Sequence, residues 1–150
     1  VNVTIREGRI DDLDAIMALE SAAFESDRLS ARGWGRQLRL SPARVAVAEV
    51  GGQIVGAGMI LLRSDSADAR VYSLATHPDW RGRGVGGALL ARLEDLALAA
   101  GRTGIRLEVK ESNASALALY KRAGYGRFGR IDGYYTDGTN AIRLRRTLIR

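Results

Sequence analysis

Seven residues, RGRGVGG at positions 81–87, restrict this chain more than any other stretch. They follow a strand-like segment, ARVYSLAT, that runs into Pro78, and they precede a run of helix formers, ALLARLEDLALAA. Glycine inside a regular element costs roughly 0.5–1 kcal/mol relative to alanine, so such a cluster calls for a reason. A helix N-terminus carries unpaired N–H groups and about half a positive elementary charge. Glycines let that backbone approach an anion closely, and Arg81 and Arg83 add full charges beside it. The expected element is a phosphate-binding loop that opens a helix, with the backbone of Gly82, Gly84, Val85, Gly86 and Gly87 around the anion.

Three phosphate loops compete for this pattern. A P-loop ends in Lys followed by Ser or Thr, and neither is present. The dinucleotide fingerprint G-x-G-x-x-G is literally satisfied by Gly82, Gly84 and Gly87, with Glu108 near the place of the ribose-binding acid. In that fold, however, the strand enters the first glycine directly, whereas HPDWR intervenes here. Too little chain remains for a second mononucleotide half. The third candidate is a loop for the pyrophosphate of an acyl-CoA.

The surrounding patterns describe a mixed α/β (α+β) sheet in a single domain spanning 1–150. VNVTIR alternates as a first strand, and Asp11 is placed to cap a helix reaching Phe24, with Leu13, Ile16, Met17 and Leu19 near one face. Ser30 can cap a short helix carrying Trp34 and Leu38, weakened by Gly33 and Gly35. ARVAVAEV and QIVGAGMILL read as strands joined by a Gly51-Gly52 hairpin. Further on, TGIRLEVK reads as a strand, NASALALYKRA as a helix closed by Gly124, and YGRFGRI and AIRLRRTLI as final strands around TDGT. The order is β-α-α-β-β-β-α-β-α-β-β. The helical crossover between the fourth and fifth strands predicts that those two run parallel, while the remaining neighbours are mostly hairpins.

Composition removes several classes of function. There is no cysteine and only one histidine, His77, so disulfides, thiolate nucleophiles and Cys- or His-rich metal sites are excluded and no metal is expected. No apolar run approaches the length of a membrane span, and no targeting signal is visible, which places the expected location in the cytoplasm. The net charge of +6 is carried by scattered arginines, Lys110 and Lys121 being the only lysines. That scatter, with few aromatics, fits compositional bias and an anionic cofactor better than a nucleic-acid surface, so no nucleic-acid partner is expected.

The pattern Arg81-Gly82-Arg83-Gly84-Val85-Gly86 after SLATHPDW resembles the pyrophosphate loop of the GNAT superfamily of acyl-CoA N-acyltransferases. The block LEVKESNASALALYKRAGYGRFGRIDGYY is similar to its RimI-type branch, the N-terminal protein acetyltransferases. The resemblance spans nearly the whole chain and is weakest over positions 25–45. It implies a GNAT fold, acetyl-CoA as cofactor and a primary amine as acceptor: a protein or peptide N-terminus, or a small amine. It implies that the amide arm of the cofactor lies along Leu74, Ala75 and Thr76, and that Asn113 touches it near the thioester as well as capping a helix.

The resemblance assigns Glu108 as general base, commonly through water, and Tyr120 as the acid that protonates the departing thiolate. Spacing alone puts Glu108 on a charged strand face with Arg106 and Lys110, and puts Tyr120 with Leu117 on a core-facing helix face. Phe24, Tyr134 and Tyr135 would line the acceptor groove. Thr76 stands where an apolar residue is more usual, and SARGWGRQL departs from the ribosomal enzyme's pattern, so the acceptor does not carry over. A small-molecule or lysine acetyltransferase and a non-catalytic acetyl-CoA-binding module remain alternatives, and oligomeric state is open.

Overall fold

The computed structural model describes residues 2–23 and 42–148. Its strands are β1 (Thr4–Glu7), β2 (Ala43–Val50), β3 (Gln53–Leu61), β4 (Asp68–Thr76), β5 (Gly104–Lys110), β6 (Gly126–Ile131) and β7 (Ala141–Thr147). Its helices are α1 (Leu13–Ala23), α2 (Val85–Ala99) and α3 (Ala114–Arg122), with short 3-10 turns at Ile10–Asp12 and Pro78–Trp80. The expected helix around Trp34 and Leu38, and Phe24 itself, lie outside the described residues. No helix among the described residues is long and apolar enough to cross a membrane.

One seven-stranded sheet runs in the order β1-β2-β3-β4-β5-β7-β6. Every neighbouring pair is antiparallel except β4 and β5, which are parallel, as the crossover through α2 requires. The β2–β3 hairpin turns at Gly51 and Gly52, both with positive φ (55° and 84°), the type I′ geometry that suits twisted strands. β7 enters between β5 and β6, so the last hairpin closes the sheet with β6 at its edge.

The two faces bury separate apolar layers. Ile16 and Leu19 of α1 pack with Val45, Val47, Ala57 and Met59 on one face. Leu89, Leu90 and Leu93 of α2 pack with Val55, Ile60, Ile105 and Leu107 on the other, where Tyr120 of α3 joins them. Two strand glycines let α2 sit close. A Cβ at Gly56 would meet Leu89 at 2.8 Å and Val85 at 2.9 Å, and one at Gly58 would meet Leu93 at 2.8 Å.

The start of α1 differs from expectation. The carboxylate that holds it is Asp12 rather than Asp11: Asp12 accepts the Arg9 N–H at 2.8 Å and both Arg6 terminal nitrogens at 3.0 Å. A 3-10 turn at Ile10–Asp12 shifts the register by one residue, so Asp12 reaches back to β1.

The feature that creates a site is the short contact between β4 and β5. They pair at only three positions, Asp68 with Gly104, Ala69 with Ile105 and Arg70 with Arg106. Against β3, Met59 faces Ser73 and Ile60 faces Val71, which leaves Tyr72 as an extra residue in β4. Such a bulge bends its strand and raises the local twist. From there to Thr76, β4 stays paired with β3 but has no strand partner on the β5 side among the described residues.

Candidate active site

A cleft of about 740 Å³ opens beside this unpaired edge. Leu74, Ala75 and Thr76 of β4 form one wall, Gly82, Gly84, Val85, Gly86 and Gly87 form the end, and Asn113 and Tyr120 contribute from α3 and its cap. Gly82 and Gly84 have φ of 76° and 81°, a conformation that L side chains rarely adopt, and a Cβ on either would point into open space. Gly84 is the N-cap of α2 and offers no side chain to cap it. The first intrahelical bond to it comes from Ala88, so the N–H groups of the first turn stay available for an anion.

Arg81 also lines the cleft, and its guanidinium bonds the Ala23 carbonyl at 3.0 Å. Arg83 does not line it. Its guanidinium lies 4.7 Å over the Trp80 ring, because the positive φ at Gly82 and Gly84 turns the intervening side chain onto the neighbouring 3-10 turn. Arg83 instead stacks on Trp80, which itself lines the cleft. Trp80, Ser115, Leu119 and Arg122 are cleft residues that motif reading passed over. Asn113 does what its helix-cap position predicts, accepting the Ala116 N–H at 3.1 Å. His77 caps the 3-10 turn in the same manner, accepting from the Asp79 N–H at 3.1 Å.

Tyr120 is 6% exposed and lines the cleft, and its hydroxyl bonds no group among the described residues. Local structure aims it. α3 ends with Gly124 at a φ of 93°, where the Tyr125 N–H bonds the Tyr120 carbonyl at 3.0 Å and the Gly124 N–H bonds that of Lys121 at 3.1 Å. This Schellman closure brings the side chains at its two ends together. Tyr125 accordingly meets Tyr120 edge-on, ring centroids 5.5 Å apart. Burial, and secondarily nearby Tyr135, push the Tyr120 hydroxyl well above its ordinary range, so it holds its proton at neutral pH.

Glu108 lies outside the cleft lining, on the α1 face of the sheet, at a second hollow of about 230 Å³ with Arg70, Arg106 and Tyr134. Its side chain is 6% exposed, so the charged strand face expected from spacing is largely covered at this position. Arg70 donates to its Oε1 at 2.8 Å, and Arg106 and Arg143 approach Oε2 at 3.6 and 3.5 Å. Arg70 also donates to the Tyr134 hydroxyl at 3.0 Å. Tyr135 packs edge-on against Tyr134 at 5.0 Å, in a turn closed by the Gly138 N–H on the Tyr135 carbonyl and by Lys110 on Asp137, each at 2.9 Å. The structure thus gathers the expected cofactor residues, Arg83 apart, around one cleft with Tyr120. It gathers Glu108 and Tyr134 around the hollow.

A helix N-terminus open to an anion thus lies beside a strand edge open to an extended chain, a combination that suits a long phosphorylated ligand. Residues 12–125 match the acetyltransferase (GNAT) family, and the chain belongs to it. It is 36% identical to an acetyltransferase of Pectobacterium atrosepticum over 128 residues, 81% of this chain and 86% of that one. Its fold matches the crystal structure of the ribosomal-protein-S18-alanine N-acetyltransferase of Escherichia coli with a TM-score of 0.89, at 26% identity over 99% of this chain and 96% of the other. It matches Ard1 of Thermoplasma volcanium with a TM-score of 0.85, at 26% identity over the whole of both. The protein is an acetyl-CoA-dependent N-acetyltransferase. The open amides, the unoccluded glycines and the unpaired β4 edge fit that donor.

Proposed function

We propose that this enzyme acetylates the α-amine of a protein or peptide N-terminus, by direct attack within a ternary complex. The observation that carries the reading is the setting of Glu108. Its carboxylate is met by three guanidiniums, so the hollow in front of it is positive overall. Nearby positive charge disfavours a cationic amine and favours its neutral, nucleophilic form. An α-amine, with a pKa of about 7.7–8.0, gives up its proton there far more readily than a lysine side chain near 10.4. A polyamine or lysine acceptor would bring its charge into a site already holding surplus cations. The hollow is also smaller than the roughly 300–1,000 Å³ of pockets that enclose a whole drug-sized ligand, which suits the end of a chain.

Acetyl-CoA supplies the activated acetyl group as a thioester. The first-turn amides of α2 and the loop glycines hold its pyrophosphate, and Leu74, Ala75 and Thr76 offer backbone groups to its amide arm. Glu108 takes the amine proton, through a water where the distance requires it. Tyr120 holds the proton that the leaving sulfur needs. With no cysteine in the chain, the acetyl group passes directly from donor to amine. The likeness to the ribosomal-protein-alanine enzyme supports the same acceptor class.

The test offers acetyl-CoA with two peptides and reads the products by mass spectrometry. One has a free small-residue N-terminus and no lysine; the other has a blocked terminus and one lysine. Acetylation of the first alone is expected. Modification of the lysine peptide alone, or of spermidine and neither peptide, overturns the reading.

A further inference from the structure

Strand register places three arginines in one row across the sheet. Arg70 of β4 stands opposite Arg106 of β5, which stands opposite Arg145 of β7. Residues directly opposite on neighbouring strands lie about 4.5–5.5 Å apart at Cβ, and like charges there repel. Two acids relieve part of this. Asp68 accepts Arg145 through both oxygens at 2.9 Å, an ion pair that crosses β5 over Gly104, where any Cβ would collide with both partners. Glu108 accepts Arg70. Arg106 has one 3.6 Å approach to a carboxylate it shares with Arg70 and Arg143, and a longer-range attraction to Asp68, which Arg145 already holds through both oxygens. Arg63, which lines the same hollow, makes no ion pair among the described residues. Five guanidiniums thus surround two carboxylates, and all but one of those cations sit on paired strands that cannot move apart.

We infer that the hollow is a subsite for an acidic side chain of the acceptor, at its second or third residue. The inference rests on the N-terminal reading, which puts the reacting amine by Glu108. Arg106 lies two residues from Glu108 along β5, about 7 Å at the rise of a strand. An extended acceptor covers the same distance in two residues, so a side chain just behind the terminal residue reaches the row. A carboxylate there completes the charge balance of Arg106 and Arg63, and a planar guanidinium receives it through paired hydrogen bonds. A basic residue at the same place adds to the repulsion.

The experiment uses peptides with a free N-terminal alanine that differ only at positions 2 and 3: Asp-Asp, Gln-Gln or Lys-Lys. The expected order of kcat/KM is acidic, neutral, basic, with the acidic peptide ahead of the neutral one by about tenfold in low salt and by less in high salt. Arg106→Gln and Arg63→Gln should each shrink the acidic-to-neutral ratio. The N-acetylated forms of the same peptides are also titrated calorimetrically into the enzyme with CoA. This arm needs no turnover, and the acidic product should bind tighter. Equal turnover and equal binding of acidic and neutral peptides overturns the subsite and leaves the N-terminal reading standing. If no free N-terminus is acetylated, that reading fails, and calorimetry alone decides the arginine row.

Discussion

Tyr125 packs its ring edge against Tyr120 and donates its hydroxyl to Glu94 at 2.8 Å, while Arg146 donates to both oxygens of the same carboxylate at 3.0 Å. The proposed proton donor therefore rests on a side chain pinned from behind by an α2 carboxylate. Tyr125→Phe keeps the ring and removes the pin. A lost hydrogen bond to a charged acceptor costs about 1.5–3 kcal/mol. The expected result is a lower Tm, measured by calorimetry, and a drop in kcat with a smaller change in the KM for acetyl-CoA. An unchanged kcat would confine the network to a structural role.

Tyr120→Phe tests the donor itself. General acids contribute roughly 10²–10⁴-fold, and the phenyl ring still fills the buried site. Turnover should fall on that scale while acetyl-CoA affinity, read by calorimetry, changes only a few-fold. Burial raises the folded-state pKa of Tyr120, and burial with the Glu94 bond raises that of Tyr125. The unfolded chain then loses these protons first. Their stabilisation is complete below about pH 10, the ordinary tyrosine value, and is lost as pH rises above it. Alkaline denaturation of the Phe variant should accordingly be shallower than that of the wild type.

The depressed acids set the opposite edge of the stability profile. Hydrogen bonds from Arg6 hold Asp12 below its ordinary range, and those from Arg145 hold Asp68 there. Both contribute stability that is present above the unfolded value, near 3.8, and is lost as pH falls through the folded ones. Urea midpoints should be flat from neutral pH to about 5 and then fall. Asp12→Asn should lower the neutral plateau and flatten the acid slope, since it frees the β1–α1 junction. An Asn variant with an unaltered slope would show that Asp12 is not the group responsible.

Much of this was legible in the chain because its signals are local. Strand alternation, the Gly51-Gly52 turn, the glycine stop at Gly124 and the parallel crossover each depend on a few neighbouring residues. The glycine run at 81–87 is a local feature of the same kind, and Gly82 and Gly84 take the positive φ that glycine allows. What stayed hidden depends on register. Arg70 lies 38 residues from Glu108 in sequence, and Arg143 meets it only because β7 inserts beside β5. The bulge at Tyr72, which ends the β4–β5 pairing, has no mark in VYSLAT. The place of Arg83 beside the loop glycines is visible in sequence, whereas its stacking on Trp80 is not.

Glu108→Gln separates chemistry from architecture. The amide has the shape of the carboxylate but leaves Arg70, Arg106 and Arg143 facing one another without their shared anion. Removing one partner of a buried charge cluster costs about 3–5 kcal/mol, and the partial exposure of these arginines puts the expected loss at the lower end. Loss of a general base lowers turnover by roughly 10²–10⁴-fold. A single variant mixes the two effects, so the informative comparison is with Glu108→Gln/Arg143→Gln. The second change removes one of the stranded cations and should restore much of the lost Tm. It returns no base, and turnover should stay low. Recovery of turnover together with Tm would make Glu108 a structural counter-ion and move the search for the proton acceptor elsewhere in the hollow.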